Sequence, residues 1–296
     1  MSSISHSSSP VRADYLEKVT GRAEFISDIV VPGMLHGKIL RSPIPHGRIV
    51  SIDISAALAL PGVETVFTGA DVDGFDAHWG PSIKDRPVIA IDRVRYVGEP
   101  VAVVAALDER TAYDALDLIE VDYGVLPVVM DPKAALQDEA PLLHPSLGSN
   151  CISERSFRYG DPEKAFSEAR HRIAVEISYP RNSCTPIETY GVIAEYDPGE
   201  DAYDVTANFQ GPFSIHAVVA LALKVPGNRM RLRTPPDSGG SFGVKQGVFV
   251  YAILAAVAAR ISGRPVKWIE DRLEHLMASV SATNRVTRLE AAVERA

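Results

Sequence analysis

The sequence is poor in cysteine, in excess positive charge and in long apolar runs, and each shortage removes a class of function. Of 296 residues only Cys151 and Cys184 are cysteines, too few for a disulfide framework and without the paired spacing of a zinc site. A [2Fe–2S] cluster is normally held by four cysteine thiolates, so this chain alone cannot hold one. Lysine and arginine number 30 against 38 aspartates and glutamates, a net charge of −8; a nucleic-acid binder would show a basic stripe or patch instead. The longest uncharged apolar stretch, between Lys245 and Arg260, is shorter than the roughly 20 residues of a membrane-spanning helix. The first ten residues are serine-rich without an apolar core and read as neither signal peptide nor anchor. A reducing, cytoplasmic setting is expected, with neither nucleic acid nor membrane as partner. Internal repeats and heptads are also lacking.

What is present is enough apolar content, 46%, for the cores of two ordinary domains. Residues 1–12 read as a disordered tail. Short β-branched runs at 35–40, 49–54 and 63–68, punctuated by proline and glycine, predict strands. Residues 55–60 predict a helix capped by Ser55 and stopped by Pro61-Gly62. Gly98-Glu99-Pro100 leads into a buried-strand pattern at 101–106; Asp108 then caps a helix over 109–118, and a strand follows at 119–123. Residues 13–126 thus form an α+β unit. Residues 127–155, with four prolines before residue 150, read as a linker. A second unit over 156–296 opens with a short helix begun by Gly160-Asp161-Pro162. Strands at 172–179, 190–196 and 203–207 follow, then a helix at 212–224 and a strand at 230–233. A glycine-rich loop at 239–245 runs into an apolar helix over 246–261, which ends at Gly263 before a strand at 265–269.

The loop Gly239-Gly240-Ser241-Phe242-Gly243-Val244-Lys245 is the sharpest local signal. Glycines let backbone N–H groups approach an anion, and a following helix offers its positive end. Its spacing fits neither a P-loop nor the dinucleotide-binding fingerprint. An anion cradle and a merely tight turn both remain open. Gln210, in Asn208-Phe209-Gln210-Gly211-Pro212, reads by itself as a capping amide for the helix at Pro212. Phe242 alone reads as a core aromatic, Glu188 as a buried, paired glutamate, and Cys184 as a small buried thiol. His36, His46 and His216 are scattered and suggest no triad.

Taken together, these pieces resemble the N-terminal half of the large, molybdopterin-binding subunit of the xanthine dehydrogenase and aldehyde oxidase family. The loop is similar to that family's Gly-Gly-Gly-Phe-Gly-Gly-Lys segment, with Ser241 and Val244 in place of two glycines. Gly263-Arg264-Pro265-Val266 with Asp271-Arg272 follows in the same order. Upstream, Arg41-Ser42-Pro43, His46-Gly47-Arg48, Pro61-Gly62-Val63, Val97-Gly98-Glu99-Pro100 and Glu120-Val121-Asp122-Tyr123 are similar to its first domain. The resemblance implies an α+β fold: an α/β-hammerhead domain, then the first part of the molybdopterin-binding domain. It implies that Gln210 hydrogen-bonds an oxygen ligand of molybdenum, a role suited to a neutral amide. It implies further that Gly239, Gly240, Ser241, Phe242 and Gly243 border the cofactor. Val244 fits poorly if its position needs the backbone freedom of glycine.

In the family a glutamate in a Gly-x-Gly-Glu type segment is the general base for hydroxylation with water as oxygen source; no such segment follows Gly263. The base is therefore expected on a partner: a second molybdopterin subunit, or the C-terminal half. Three readings follow: a split subunit completed by that partner, a truncated inactive fragment, or a non-catalytic scaffold or assembly protein retaining the fold. The resemblance also implies molybdopterin, with molybdenum and as the cytosine dinucleotide in some members, shared with the partner chain. FAD and [2Fe–2S] centres are expected on separate flavin and iron–sulfur subunits. The expected chemistry is oxidative hydroxylation of an N-heterocycle, purine or aldehyde, not carried out by this chain alone.

Overall fold

The structure, a computed structural model, describes residues 12–72, 75, 78, 79, 86–280 and 282–294. The serine-rich start through residue 11, read above as tail, lies outside them. The chain is organised by one seven-stranded mixed sheet, in the order Met230–Arg233, Ala202–Ala207, Gly191–Asp197, Val266–Ile269, Leu35–Arg41, Pro100–Ala106, Val63–Thr68. Leu35–Arg41 pairs in parallel with Val266–Ile269, Leu35 opposite Val266. The strands of the first unit and those of the second therefore share a single sheet.

Pro100–Ala106 is buried at every position because both of its faces are covered. Side chains alternate across a strand, so Val103 and Ala105 enter the main core. Ala102, Val104 and Ala106 face a second core made with Ala57, Ala112 and Ala115. The helix Glu109–Leu116 supplies the last two, and its first turn is fixed by Asp108, whose side chain accepts from the Thr111 N–H. Ser55 does not cap the preceding helix, Ser55–Ala59: Ile54 occupies that position, and Asp53 accepts the Ser55 N–H at 2.9 Å. The carboxylate two residues upstream reaches the free N–H better than the hydroxyl already inside the helix.

The helix Phe249–Ser262 is apolar all round and nearly all buried, as expected of a helix wrapped by protein on every side. It ends at Gly263, which takes φ 65, the left-handed stop that glycine allows. The α-helix starts later than the apolar pattern predicts, because Val244–Val248 forms a 3-10 turn first. By length and composition Val244–Ser262 would suffice to cross a membrane, but most of it is buried inside the protein.

A three-stranded sheet, Arg93–Val94, Gly47–Asp53 and Glu120–Val125, lies beside the large one. Residues 127–155 carry only two 3-10 turns, Ala134–Leu136 and Pro145–Leu147. Asn150 gathers this segment, donating to the carbonyls of Ala135 and Pro141, both at 3.0 Å. Beyond it, His171–Tyr179 and Arg285–Val293 form a two-stranded ribbon that is exposed along almost its whole length.

Candidate functional site

Gln210 and the glycine-rich loop, 29 residues apart from Gln210 to Gly239 in the sequence, meet in space. Gly211 takes φ 69 at the N-cap of the helix Pro212–Ala222, and no side chain caps that helix. Gln210 is thus not the capping amide that its place before Pro212 suggests. Its Oε1 accepts the Gly243 N–H at 3.0 Å and the Ser241 hydroxyl. A backbone N–H only donates, so the atom facing it must be the amide oxygen, and Nε2 points away. Nε2 has no partner among the described residues. Ser241 Oγ also accepts the Lys245 N–H at 3.3 Å, and the Gln210 N–H reaches the Lys245 carbonyl at 3.3 Å. The serine that replaces a glycine therefore laces the loop to Gln210.

The loop turns through left-handed backbone at Gly240 (φ 96), Phe242 (φ 52) and Gly243 (φ 98). For Phe242 this conformation costs on the order of 1 kcal/mol. Its ring is 74% exposed, so it is not a core aromatic. Val244 needs no positive φ: it starts the 3-10 turn and packs into the main core. With the turn made this way, the N–H groups of Gly240, Ser241 and Phe242 find no acceptor among the described residues. Three successive backbone donors of the loop and the Gln210 amide nitrogen are thus left without partners among the described residues.

Under the loop, Lys245 donates to Glu188, and both are largely buried, with side-chain exposures of 1% and 11%. Burial pushes the Lys245 ammonium below its ordinary pKa while Glu188 draws it back up. Glu188 also accepts the Gly239 N–H at 2.8 Å, so it is the buried, paired glutamate its surroundings suggest. Gly239 has to be glycine: a Cβ there would lie 2.5 Å from Glu188 Cβ.

Other candidates go elsewhere. Cys184 is half-buried against the main core, and Cys151 is exposed; both are free. His46 Nδ1 is 2.6 Å from the Pro127 carbonyl and His216 Nε2 is 2.8 Å from that of Met230. No group of three or more His, Cys, Asp or Glu among the described residues is arranged to hold a metal ion. Sequence reasoning missed Tyr190, whose hydroxyl donates to the Val244 carbonyl at 2.6 Å. It missed Asn208 as well, which accepts from Gly191 at 3.1 Å and donates to Thr189 at 2.7 Å. Neither position carries a spacing signal.

Residues 20–127 match the family model of the aldehyde oxidase and xanthine dehydrogenase a/b hammerhead domain. Residues 143–296 match the molybdopterin cofactor-binding domain. The chain is similar to the carbon monoxide dehydrogenase large chain of Hydrogenophaga pseudoflava, 36% identical over 279 residues, 89% of this chain and 35% of that one. It is similar to the 6-hydroxypseudooxynicotine dehydrogenase complex subunit gamma of Paenarthrobacter nicotinovorans, 38% identical over 294 residues, 93% of this chain and 36% of that one. The crystal structure of quinoline 2-oxidoreductase from Pseudomonas putida 86 superposes with a TM-score of 0.89 at 35% identity, covering 97% of this chain and 37% of that one. The chain spans about a third of the length of these relatives.

Proposed function

From the premise that the chain belongs to the xanthine dehydrogenase and aldehyde oxidase family, we propose that Gln210 and residues 239–243 form one wall of a molybdopterin pocket in a hydroxylase. The observation that carries this reading is the set of unpartnered donors. Gln210 Nε2 is left without a partner among the described residues while Gly243 and Ser241 hold its oxygen, and the loop N–H groups of Gly240, Ser241 and Phe242 find no acceptor there either. Such donors suit a group rich in anionic oxygens, and the residues present fit the cofactor. Gln210 would donate to an oxygen of the metal centre without adding charge, while the three N–H groups and the left-handed turn would let the backbone lie close to it. Bound there, molybdopterin supplies oxidative hydroxylation of an electron-poor carbon, in an N-heterocycle, purine or aldehyde, with water as the oxygen source.

The proton-accepting base comes from polypeptide outside these residues. Glu188 is committed to Lys245 and Gly239, and Glu270 is fully buried against His275 and the Tyr190 N–H. Neither can reach a substrate. A C-terminal half or a second molybdopterin subunit completes the pocket, and FAD and [2Fe–2S] centres on flavin and iron–sulfur subunits take the electrons. Support for a docking partner comes from the ribbon, where Ile173, Val175, Ile177, Leu289 and Ala291 make one apolar, exposed face.

The test is Gln210→Glu in the complete assembly, which keeps an acceptor for the Gly243 N–H and removes the Nε2 donor. Turnover should fall by roughly 10²-fold, the scale of losing one oxyanion-type donor. A folded, complete assembly lacking molybdenum and pterin, or a variant with full turnover, refutes the reading.

A further inference from the structure

Behind the loop lies a line of buried polar groups that does not touch the unpartnered donors. Tyr190 is almost fully buried, and its hydroxyl donates to the Val244 carbonyl at 2.6 Å, where the loop enters the 3-10 turn. Its own N–H donates to Glu270 Oε2 at 3.2 Å, and the same oxygen lies 2.7 Å from His275 Nδ1. Glu270 and His275 side chains are both fully buried. His275 belongs to the helix Arg272–Ala278, whose Glu274 accepts from Arg41 Nε at 2.9 Å. Arg41 comes from the first domain, where it also donates to the Gly98 carbonyl at 3.0 Å, and it reaches the Tyr251 hydroxyl at 3.2 Å. The Tyr190 ring is held between Tyr251, centroids 5.5 Å apart, and the His275 ring, edge-on at 5.6 Å.

Tyr190 has little freedom in this setting. A Cβ on Gly247 would stand 3.1 Å from its hydroxyl oxygen and 2.4 Å from Val280 Cγ2, so glycine there makes room for the phenol. Burial also holds the phenol far above its ordinary pKa, which keeps it a donor. The line is costly: Glu270 Oε1, His275 Nε2 and Arg41 Nη2 are buried without partners among the described residues, and replacing buried ion pairs by apolar side chains of similar volume is often neutral or stabilising. Its geometry makes sense as a way of fixing one point, the carbonyl at the base of the loop.

We propose that Tyr190 is a positioning residue for the loop 239–245, and that the Glu270–His275 pair, tied to the first domain through Glu274 and Arg41, holds Tyr190 in place. This rests on the loop being the cofactor wall for its functional meaning but not for its test. Molybdenum content decides the cofactor reading, whereas amide hydrogen exchange of the chain by itself decides the positioning.

Tyr190→Phe removes only the hydroxyl. The hydrogen-bonded amides of residues 243–248 should then exchange about five-fold faster, the effect of one net hydrogen bond on local opening, with the helix Phe249–Ser262 unchanged. Tyr196→Phe is the control: its hydroxyl donates to Asp201 at 2.8 Å in an exposed turn, and its loss should leave the loop unaltered. Unchanged loop exchange in folded Tyr190→Phe, or equal acceleration across helix and sheet, overturns the assignment.

Discussion

Glu99 makes a quantitative claim about pH. It is 1% exposed, at the turn Gly98-Glu99-Pro100 that enters the fully buried strand. Its Oε2 accepts the Arg95 N–H, and the Arg95 guanidinium stands 3.9 Å from Oε1. These contacts favour the charge, but burial outweighs them and pushes the carboxyl from 4.5 up to about 7. An acid whose pKa is raised on folding binds its proton more tightly in the native state. Below about pH 4.5 both states are protonated and the group is neutral to stability. As pH rises toward 7 the unfolded chain ionises first, so native stability falls; above 7 the loss is complete. At about 1.4 kcal/mol per pH unit the full loss is about 3 kcal/mol.

Glu99→Gln removes the titration while keeping an oxygen for the Arg95 N–H. Urea unfolding of both proteins from pH 4 to 8.5 isolates this one group. Exposed carboxylates whose pKa is lowered by partners, Asp108 by Thr111 and Asp53 by Ser55 among them, bend both curves alike and cancel in the difference. The variant should gain about 3 kcal/mol on the native protein between pH 4.5 and 8, nearly all of it before pH 7. A flat difference would mean that Glu99 is ionised in the folded state, compensated by Arg95 or by water, and the burial argument would fail.

Three further outcomes follow from the same geometry. Lys245→Met strands Glu188 as a mostly buried charge and should cost about 3–5 kcal/mol in denaturant unfolding, most of it recovered when Glu188→Leu is added. Gly239→Ala drives a methyl group into Glu188 Cβ at 2.5 Å and should cost about 1–3 kcal/mol by overpacking. Val175→Glu with Leu289→Glu, opposite each other on the ribbon, should change the stability of this chain by no more than about 0.5 kcal/mol each. The same pair should abolish co-purification with the polypeptide that completes the pocket; undiminished co-purification would place that contact elsewhere.

Much of the local structure was legible because it follows from nearest-neighbour chemistry. The run from Pro100 to Ala106 could only be a strand covered on both faces, and Asp108 and Asp161 cap the helices their positions suggest. Ser55 misled because a residue able to cap can also stand inside the first turn: Ile54 holds the cap position, and Asp53 accepts the Ser55 N–H instead. The order of the sheet was not legible: Leu35 and Val266 are neighbours, and no local pattern carries a pairing across so much chain. The loop and Gln210 were recognisable from the family likeness, but the hydrogen bond between them was not. An amide before a proline-led helix reads as a cap, and it is the left-handed Gly211 that releases it for the loop. Tyr190, Glu270 and His275 were invisible because a buried polar residue looks, in sequence, like an exposed one.

The site as a whole is one-sided in a chemical sense. Its groups without partners among the described residues include four donors, Gln210 Nε2 and the N–H groups of Gly240, Ser241 and Phe242. The nearest carboxylate, Glu188, is neutralised by Lys245, and Glu270 faces inward toward His275 and Tyr190. Such donors can hold and polarise anionic oxygen, but an N–H group has no lone pair with which to accept a proton in a transition state. On the proposed function, proton abstraction would need an acceptor other than these groups. Supplying Glu188 as a free base by removing Lys245 would not mend this. The carboxylate would remain tied to the Gly239 N–H.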